Sequence, residues 1–207
     1  MASRVGALAY GSLIDDPGPE LQPRIVARLN AMTPFRVEFA RKSESRGYGP
    51  TLIPVVEGGA HVRATVLVLD DDLAVDEATH MLYRREKHDF NPTILYRRRA
   101  KPSLNTIVIE CLENFEDISV VLYTSIGANI LNLSGTTLAQ LAIDSVASPR
   151  SAEDGISYLI DAKRNGIVTP LSVDYEAAIL RRTGAASLEA ALQVLIEDAR
   201  GSLPSST

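Results

Sequence analysis

Val5-Gly6-Ala7-Leu8-Ala9-Tyr10-Gly11-Ser12-Leu13 is the stretch whose reading decides the fold. Its first five residues form an uninterrupted apolar run, the pattern of a buried strand. The run ends at Tyr10-Gly11-Ser12, where the chain must turn sharply. Gly11 offers a position that tolerates φ > 0 or a close approach of backbone to ligand. Successive N–H groups at such a turn form an anion-binding concavity, suited to a carboxylate or phosphate without any Lys or Arg. A strand-end turn that binds nothing is the alternative.

Outward from this turn, the first 125 residues read as strand-rich. Residues 15–20 are a polar, Pro-rich loop. Phe35-Arg36-Val37-Glu38-Phe39 alternates strictly, as a half-buried strand does. Residues 41–49 are polar loop. Residues 51–56 form a short strand whose Pro54 implies an edge or a bulge. Gly58-Gly59 marks a turn, and residues 62–69 carry apolar side chains toward both faces, so that strand is covered on both sides. Asp70-Asp71-Asp72 then suits the N-cap and dipole of a helix whose buried stripe is Leu73, Ala78, Met81 and Leu82. Strands are expected again at 93–99, 106–112 and 119–125.

The remainder reads as helical. One helix carries Leu138, Leu141, Ala142 and Val146. Ser151 with Asp154 resembles a capping box for the next, and Gly166 suits its C′ position. Ser172 and Gly184 bracket a third, Ser187 caps a fourth, and residues 201–207 read as a frayed tail. The expectation is one α+β domain over 1–207, with residues 1–125 strand-rich and helices over 126–200 packed on them.

Composition narrows the function classes. The chain has 207 residues, 45% hydrophobic and 23% charged, enough for a substantial core. A net charge of −5 argues against a nucleic-acid-binding protein, and 5% aromatics with no Trp argues against a base-stacking surface. Neither a secretory signal nor a membrane-spanning apolar run is present, which points to a cytoplasmic protein with no membrane partner. The single cysteine, Cys111, lies in an apolar run and reads as a buried, inert thiol. His61, His80 and His88 show no metal-ligand spacing, so no metal is expected.

Glu86 is the candidate for chemistry. On a helix it lies roughly 80° from the centre of the Ala78, Met81, Leu82 stripe, at the margin of the buried face, and Arg85 projects nearer the centre. A carboxylate partly withdrawn from water suits general acid/base work. The alternative is a plain charged helix end, with Glu86 paired to a neighbouring cation. Arg84, Arg85, Lys87, Arg97, Arg98, Arg99 and Lys101 form a basic cluster, read as a solvated strand edge or as a surface for an anionic partner. Ser12 does not read as a nucleophile: Tyr10 and Ile14 stand where a nucleophile elbow needs glycine.

Tyr10-Gly11-Ser12-Leu13 and Met81-Leu82-Tyr83-Arg84-Arg85-Glu86, in this order, resemble the γ-glutamylcyclotransferase-like superfamily. The second motif is similar to the Leu-x-x-Arg-Glu signature of its ChaC-like, glutathione-degrading branch. The resemblance covers roughly residues 4–125 and is loose beyond. It implies a small mixed β-barrel with flanking helices. It also implies an enzyme that converts a small-molecule γ-glutamyl amine or peptide to 5-oxoproline and a free amine, without metal or organic cofactor. On this resemblance Glu86 is the general acid/base, and the backbone N–H groups of Gly11, Ser12 and Leu13, beside Tyr10, hold the α-carboxylate. Tyr123 matches a tyrosine facing the pocket. The leaving group is left open among glutathione, γ-glutamyl dipeptides and γ-glutamyl amines. Lys87 follows Glu86 where many members have glycine, Asp15 follows Ile14 where the branch has an aromatic, and His88-Asp89-Phe90-Asn91-Pro92 replaces an aromatic, Gly-rich loop. These departures keep open a non-catalytic small-molecule binding protein on the same fold.

Overall fold

The computed structural model describes residues 4–148 and 153–201. Seven strands are formed among them: β1 (Val5–Ala9), β2 (Ile25–Met32), β3 (Val37–Ser43), β4 (Gly49–Pro54), β5 (Arg63–Leu69), β6 (Val108–Phe115) and β7 (Ile118–Ser125). Six α-helices accompany them: α1 (Gly18–Leu21), α2 (Val75–Lys87), α3 (Gly135–Val146), α4 (Gly155–Arg164), α5 (Ser172–Thr183) and α6 (Leu188–Gly201). The architecture is α+β, in two compact units: Met1–Pro34 with His61–Gly127, and Phe35–Ala60 with Ala128–Thr207. The β3–β4 pair thus clusters with the C-terminal helices rather than with the other strands.

The first unit is a five-stranded mixed sheet in the order β2-β5-β1-β7-β6. Only β1 and β7 run parallel; the other neighbours are antiparallel. The closed barrel implied by the resemblance is not formed among the described residues. Closure needs every strand paired on both sides, and here β2 and β6 are free edges while β3 and β4 pair only with each other. β1 is buried throughout, as its apolar run requires. Val5, Ala7 and Ala9 join Leu67, Leu69 and Leu122 in a core closed by Ala78 and Leu82 of α2.

Local expectations change: the loops expected at 15–20 and 41–49 are overtaken in part by α1 and by the end of β3 and start of β4. The Asp70-Asp71-Asp72 run does not cap α2; Ala74 is the N-cap. Asp70 and Asp72 instead form ion pairs with Arg24, at 2.6 and 2.8 Å. Residues 93–99 form no strand, because their polar groups are satisfied through side chains rather than a ladder. The Tyr96 N–H donates to His80 Nδ1 at 3.1 Å, and the Ile109 N–H donates to the Tyr96 hydroxyl oxygen at 3.1 Å. Arg98 grips Glu110 with two hydrogen bonds of 2.9 Å. Cys111 is exposed, not buried. It sits on edge strand β6, opposite Leu122 of β7, and β6 has no strand on its outer side among the described residues. β2, an edge strand with five exposed positions, was not expected at all.

The second unit packs α3–α6 with the β3–β4 pair. Phe39 meets the rings of Tyr158 and Tyr175 edge-on, with centroids 6.2 and 5.4 Å away, a favoured aromatic geometry. Pro54 ends β4, an edge strand, as expected. Asp154 is itself the N-cap of α4, its Oδ1 accepting from the Ile156 and Ser157 N–H groups at 2.7 and 2.8 Å; Ser151 lies outside the described residues. Gly166 and Gly184 follow α4 and α5 with φ of 68° each. Ser172 is not a cap but the first residue of α5, after Leu171. The Ser187 Oγ accepts from the Ala190 N–H at 3.2 Å, as a cap should. Of the expected tail, residues 202–207 lie outside the described residues.

Two stability predictions arise here. Asp154→Ala removes both N-terminal hydrogen bonds and is expected to cost about 1 kcal/mol by denaturant titration. Tyr175 is fully buried, its hydroxyl donating to the Gly155 carbonyl at 3.3 Å. Burial pushes that hydroxyl well above the usual tyrosine range, with Asp154 adding to the effect. Its folded pKa is therefore raised above the unfolded value of about 10. Its contribution is intact below that pH and is lost as pH rises, because the unfolded chain releases a proton that the folded chain keeps. Tyr175→Phe should remove about 1.4 kcal/mol per pH unit of that decline above about pH 10, measured by denaturation at stepped alkaline pH.

Candidate active site at the Tyr10 loop

The loop after β1 is anchored by its side chains and folded into one helical turn. The Tyr10 hydroxyl donates to the Thr124 carbonyl on β7, and the Leu13 side chain is buried in the core under α2. The Ile14 N–H donates to the Gly11 carbonyl at 3.0 Å, and the Asp16 N–H to the Ser12 carbonyl at 2.8 Å. The first N–H groups of such a turn have no partner within it. Accordingly the amides of Gly11, Ser12 and Leu13 donate to no backbone carbonyl among the described residues. Gly11 is not in the left-handed region; the glycine that needs it is Gly18, at φ 80°. A Cβ there would lie 3.0 Å from Arg85 Cγ and 3.2 Å from Phe90 Cε1. Gly18 therefore lets the segment close over α2.

The last turn of α2 carries Arg84, Arg85 and Glu86 to this segment. His88, at φ 51°, ends the helix, its N–H donating to the Arg85 carbonyl at 3.0 Å. Arg84 is 2% exposed. Its Nε donates to both Glu20 oxygens at 3.1 and 2.8 Å, and Nη2 to Glu20 Oε1 at 2.9 Å. Nη1 reaches the Ile94 carbonyl at 3.1 Å and Nη2 reaches Glu77 at 3.3 Å. Hydrogen bonding to Glu20 raises the pKa of Arg84 despite its burial.

Arg85, 5% exposed, lies across the loop. Its Nη2 donates to Ser12 Oγ at 3.1 Å and its Nη1 to Glu86 Oε1 at 2.7 Å. The Glu86 side chain is 21% exposed, at the margin where its helical spacing puts it. Loop and carboxylate are thus brought to one guanidinium, which the sequence pattern placed near the core without assigning it to the anion cradle.

Tyr123 stands apart from this group. On β7 it alternates with Leu122, and Leu122 packs in the core under α2. Tyr123 therefore lies on the other face of the sheet, opposite Glu110 of β6. Burial raises its pKa, with Glu110 and Cys111 adding to the shift and Arg98 opposing it.

Several residues of the arrangement had no assignable partner in the sequence. Asp16 supplies its carbonyl to Arg85, and Glu20 supplies its carboxylate to Arg84. The only local signal was the rigid Pro17-Gly18-Pro19 run that separates them. Ser12 accepts a hydrogen bond from Arg85, and no histidine among the described residues bonds to it. No group of three or more His, Cys, Asp or Glu side chains suited to a metal occurs among the described residues. Chemically, the site offers consecutive backbone donors able to face an anion and a partly exposed carboxylate able to exchange a proton, with the buried Arg85 guanidinium bonded to both the loop and the carboxylate. No model of a known protein family matches this chain, and neither does any curated protein.

Proposed function

We propose that the protein is a cofactor-independent γ-glutamylcyclotransferase-like enzyme with Glu86 as its general acid/base. The observation that carries this reading is the single guanidinium, Arg85, bonded to both Ser12 of the loop and Glu86 of α2. In this reading the loop is the anion cradle, and the shared guanidinium holds it beside a partly exposed carboxylate. In the proposed reaction the N–H groups of Gly11, Ser12 and Leu13 hold the α-carboxylate of a γ-glutamyl group. Glu86 takes a proton from the α-ammonium, and the freed amine attacks the γ-carbonyl of the same residue. The new C–N bond closes the lactam and the original amide C–N bond breaks; the two protons shed by the attacking nitrogen, one before attack and one after, pass through Glu86 to the leaving nitrogen, which departs as an ammonium. Because nucleophile and electrophile share one molecule, holding them in an attack conformation accounts for much of the rate. Tyr10 anchors the loop through Thr124 in this reading, and Tyr123 takes no step.

A second reading has its own observation: Glu86 Oε1 is engaged by Arg85 at 2.7 Å, as in a carboxylate that serves only to brace the cradle. The protein would then bind a γ-glutamyl ligand without converting it. Thermal-shift titration with γ-glutamyl dipeptides, with 5-oxoproline measured in the same samples, separates the two. Stabilisation follows mass action in either case. Product accompanying stabilisation supports the enzyme, whereas stabilisation without product supports the binder.

A further inference from the structure

Arg85 touches both halves of the proposed site through different nitrogens. Nε and Nη2 both donate to the Asp16 carbonyl, at 3.0 and 2.7 Å, and Nη2 also reaches Ser12 Oγ at 3.1 Å. These contacts fix the plane of the guanidinium against the loop, as only a rigid fork can. Nη1 is left to turn to Glu86 Oε1, at 2.7 Å. Gly18 crowds the stem on one side, where even a Cβ would come within 3.0 Å of Arg85 Cγ. The group is almost wholly buried, so its charge-assisted bonds are strong and directional. An arginine needed only to neutralise Glu86 would not require two bonds to a backbone carbonyl of the loop.

We propose that Arg85 is a positioning residue that ties the orientation of the Glu86 carboxylate to the conformation of the loop at residues 11–13. A carboxylate seated on the loop and the proton-transferring group are then held in register by one guanidinium. The consequence for turnover rests on the reading of Glu86 as the acid/base; the coupling itself does not.

The test compares Glu86→Gln, Arg85→Ala, Arg85→Lys and the double variant Arg85→Ala/Glu86→Gln by amide NMR and by 5-oxoproline release. Glu86→Gln should shift the Ser12 and Leu13 amide resonances when Arg85 is present and leave them unmoved when it is absent. Arg85→Ala should lower kcat about 100-fold, the scale expected for a misplaced catalytic group. Millimolar guanidinium should restore much of that loss without changing Tm. Arg85→Lys should restore little, because an ammonium cannot span Asp16, Ser12 and Glu86 together. Equal resonance shifts with and without Arg85 would overturn the proposal, as would an Arg85→Ala variant of native Tm that guanidinium does not rescue. If Arg85→Ala fails to fold, Arg85→Lys and its Glu86→Gln double carry the same resonance comparison. Arg85-dependent coupling in a wild-type protein that releases no 5-oxoproline would uphold the positioning and reject the cyclotransferase reading; release without coupling would do the reverse.

Discussion

Glu86→Gln is expected to lower kcat for 5-oxoproline release by about 100- to 10,000-fold, the usual range for loss of a general acid/base. The substitution keeps the shape of the side chain and a carbonyl oxygen able to accept from Arg85 Nη1. The substitution removes none of the loop N–H donors, so KM should change far less than kcat. That split identifies a group acting on the reacting atoms rather than in ground-state binding. The variant should also keep its fold, because Glu86 sits at the margin of the core with its side chain 21% exposed. Parallel kinetics and thermal melts of wild type and variant check both halves. A kcat within a few-fold of wild type would remove Glu86 from the chemistry.

The second large effect concerns stability. Glu20→Ala is expected to cost about 3 kcal/mol, because it leaves Arg84 buried with its main counter-ion gone. Arg84 is 2% exposed and donates three hydrogen bonds to Glu20. Glu77, 3.3 Å away with its side chain 47% exposed, is a weaker substitute. The loss should fall mainly on α1 and the loop before it. Replacing both partners, as Arg84→Met with Glu20→Leu, should cost less than the single change, since no unpaired charge remains inside. Urea denaturation of wild type and the two variants gives the comparison. A Glu20→Ala loss below about 1 kcal/mol would show that the pair behaves as a surface ion pair.

The fold was legible where hydrophobic pattern and burial coincide. The continuous run at β1, the two-sided strand at β5 and the α2 stripe of Ala78 and Leu82 all follow from periodicity, because those elements face the core. The edge strand β2 was not legible. β2 exposes apolar Val26 and Met32 beside polar Arg28 and Asn30, so its side chains carry little contrast between faces. Residues 93–99 look like a strand in composition, yet Tyr96 and Arg98 use side chains where a strand would use backbone. Open or closed sheet topology depends on which strands pair across long separations, and no local pattern encodes that.

The candidate site divides in the same way. The Tyr10 loop and Glu86 could be singled out by turn chemistry and helical spacing. Arg84 read as part of a charged helix end and Arg85 as near the buried stripe without a partner, because Glu20 and Ser12 lie 64 and 73 residues away. Gly11 stands out in the motif, but the backbone conformation that requires glycine falls at Gly18 instead.

The most direct measurement is 5-oxoproline release from glutathione, γ-glutamyl dipeptides and γ-glutamyl amines by purified wild-type protein, with Glu86→Gln run alongside. The expected result is release from at least one of these by wild type and its near-complete loss in the variant. Equal release by both would contradict the role of Glu86, and no release by either across the panel would contradict cyclotransfer on these substrates.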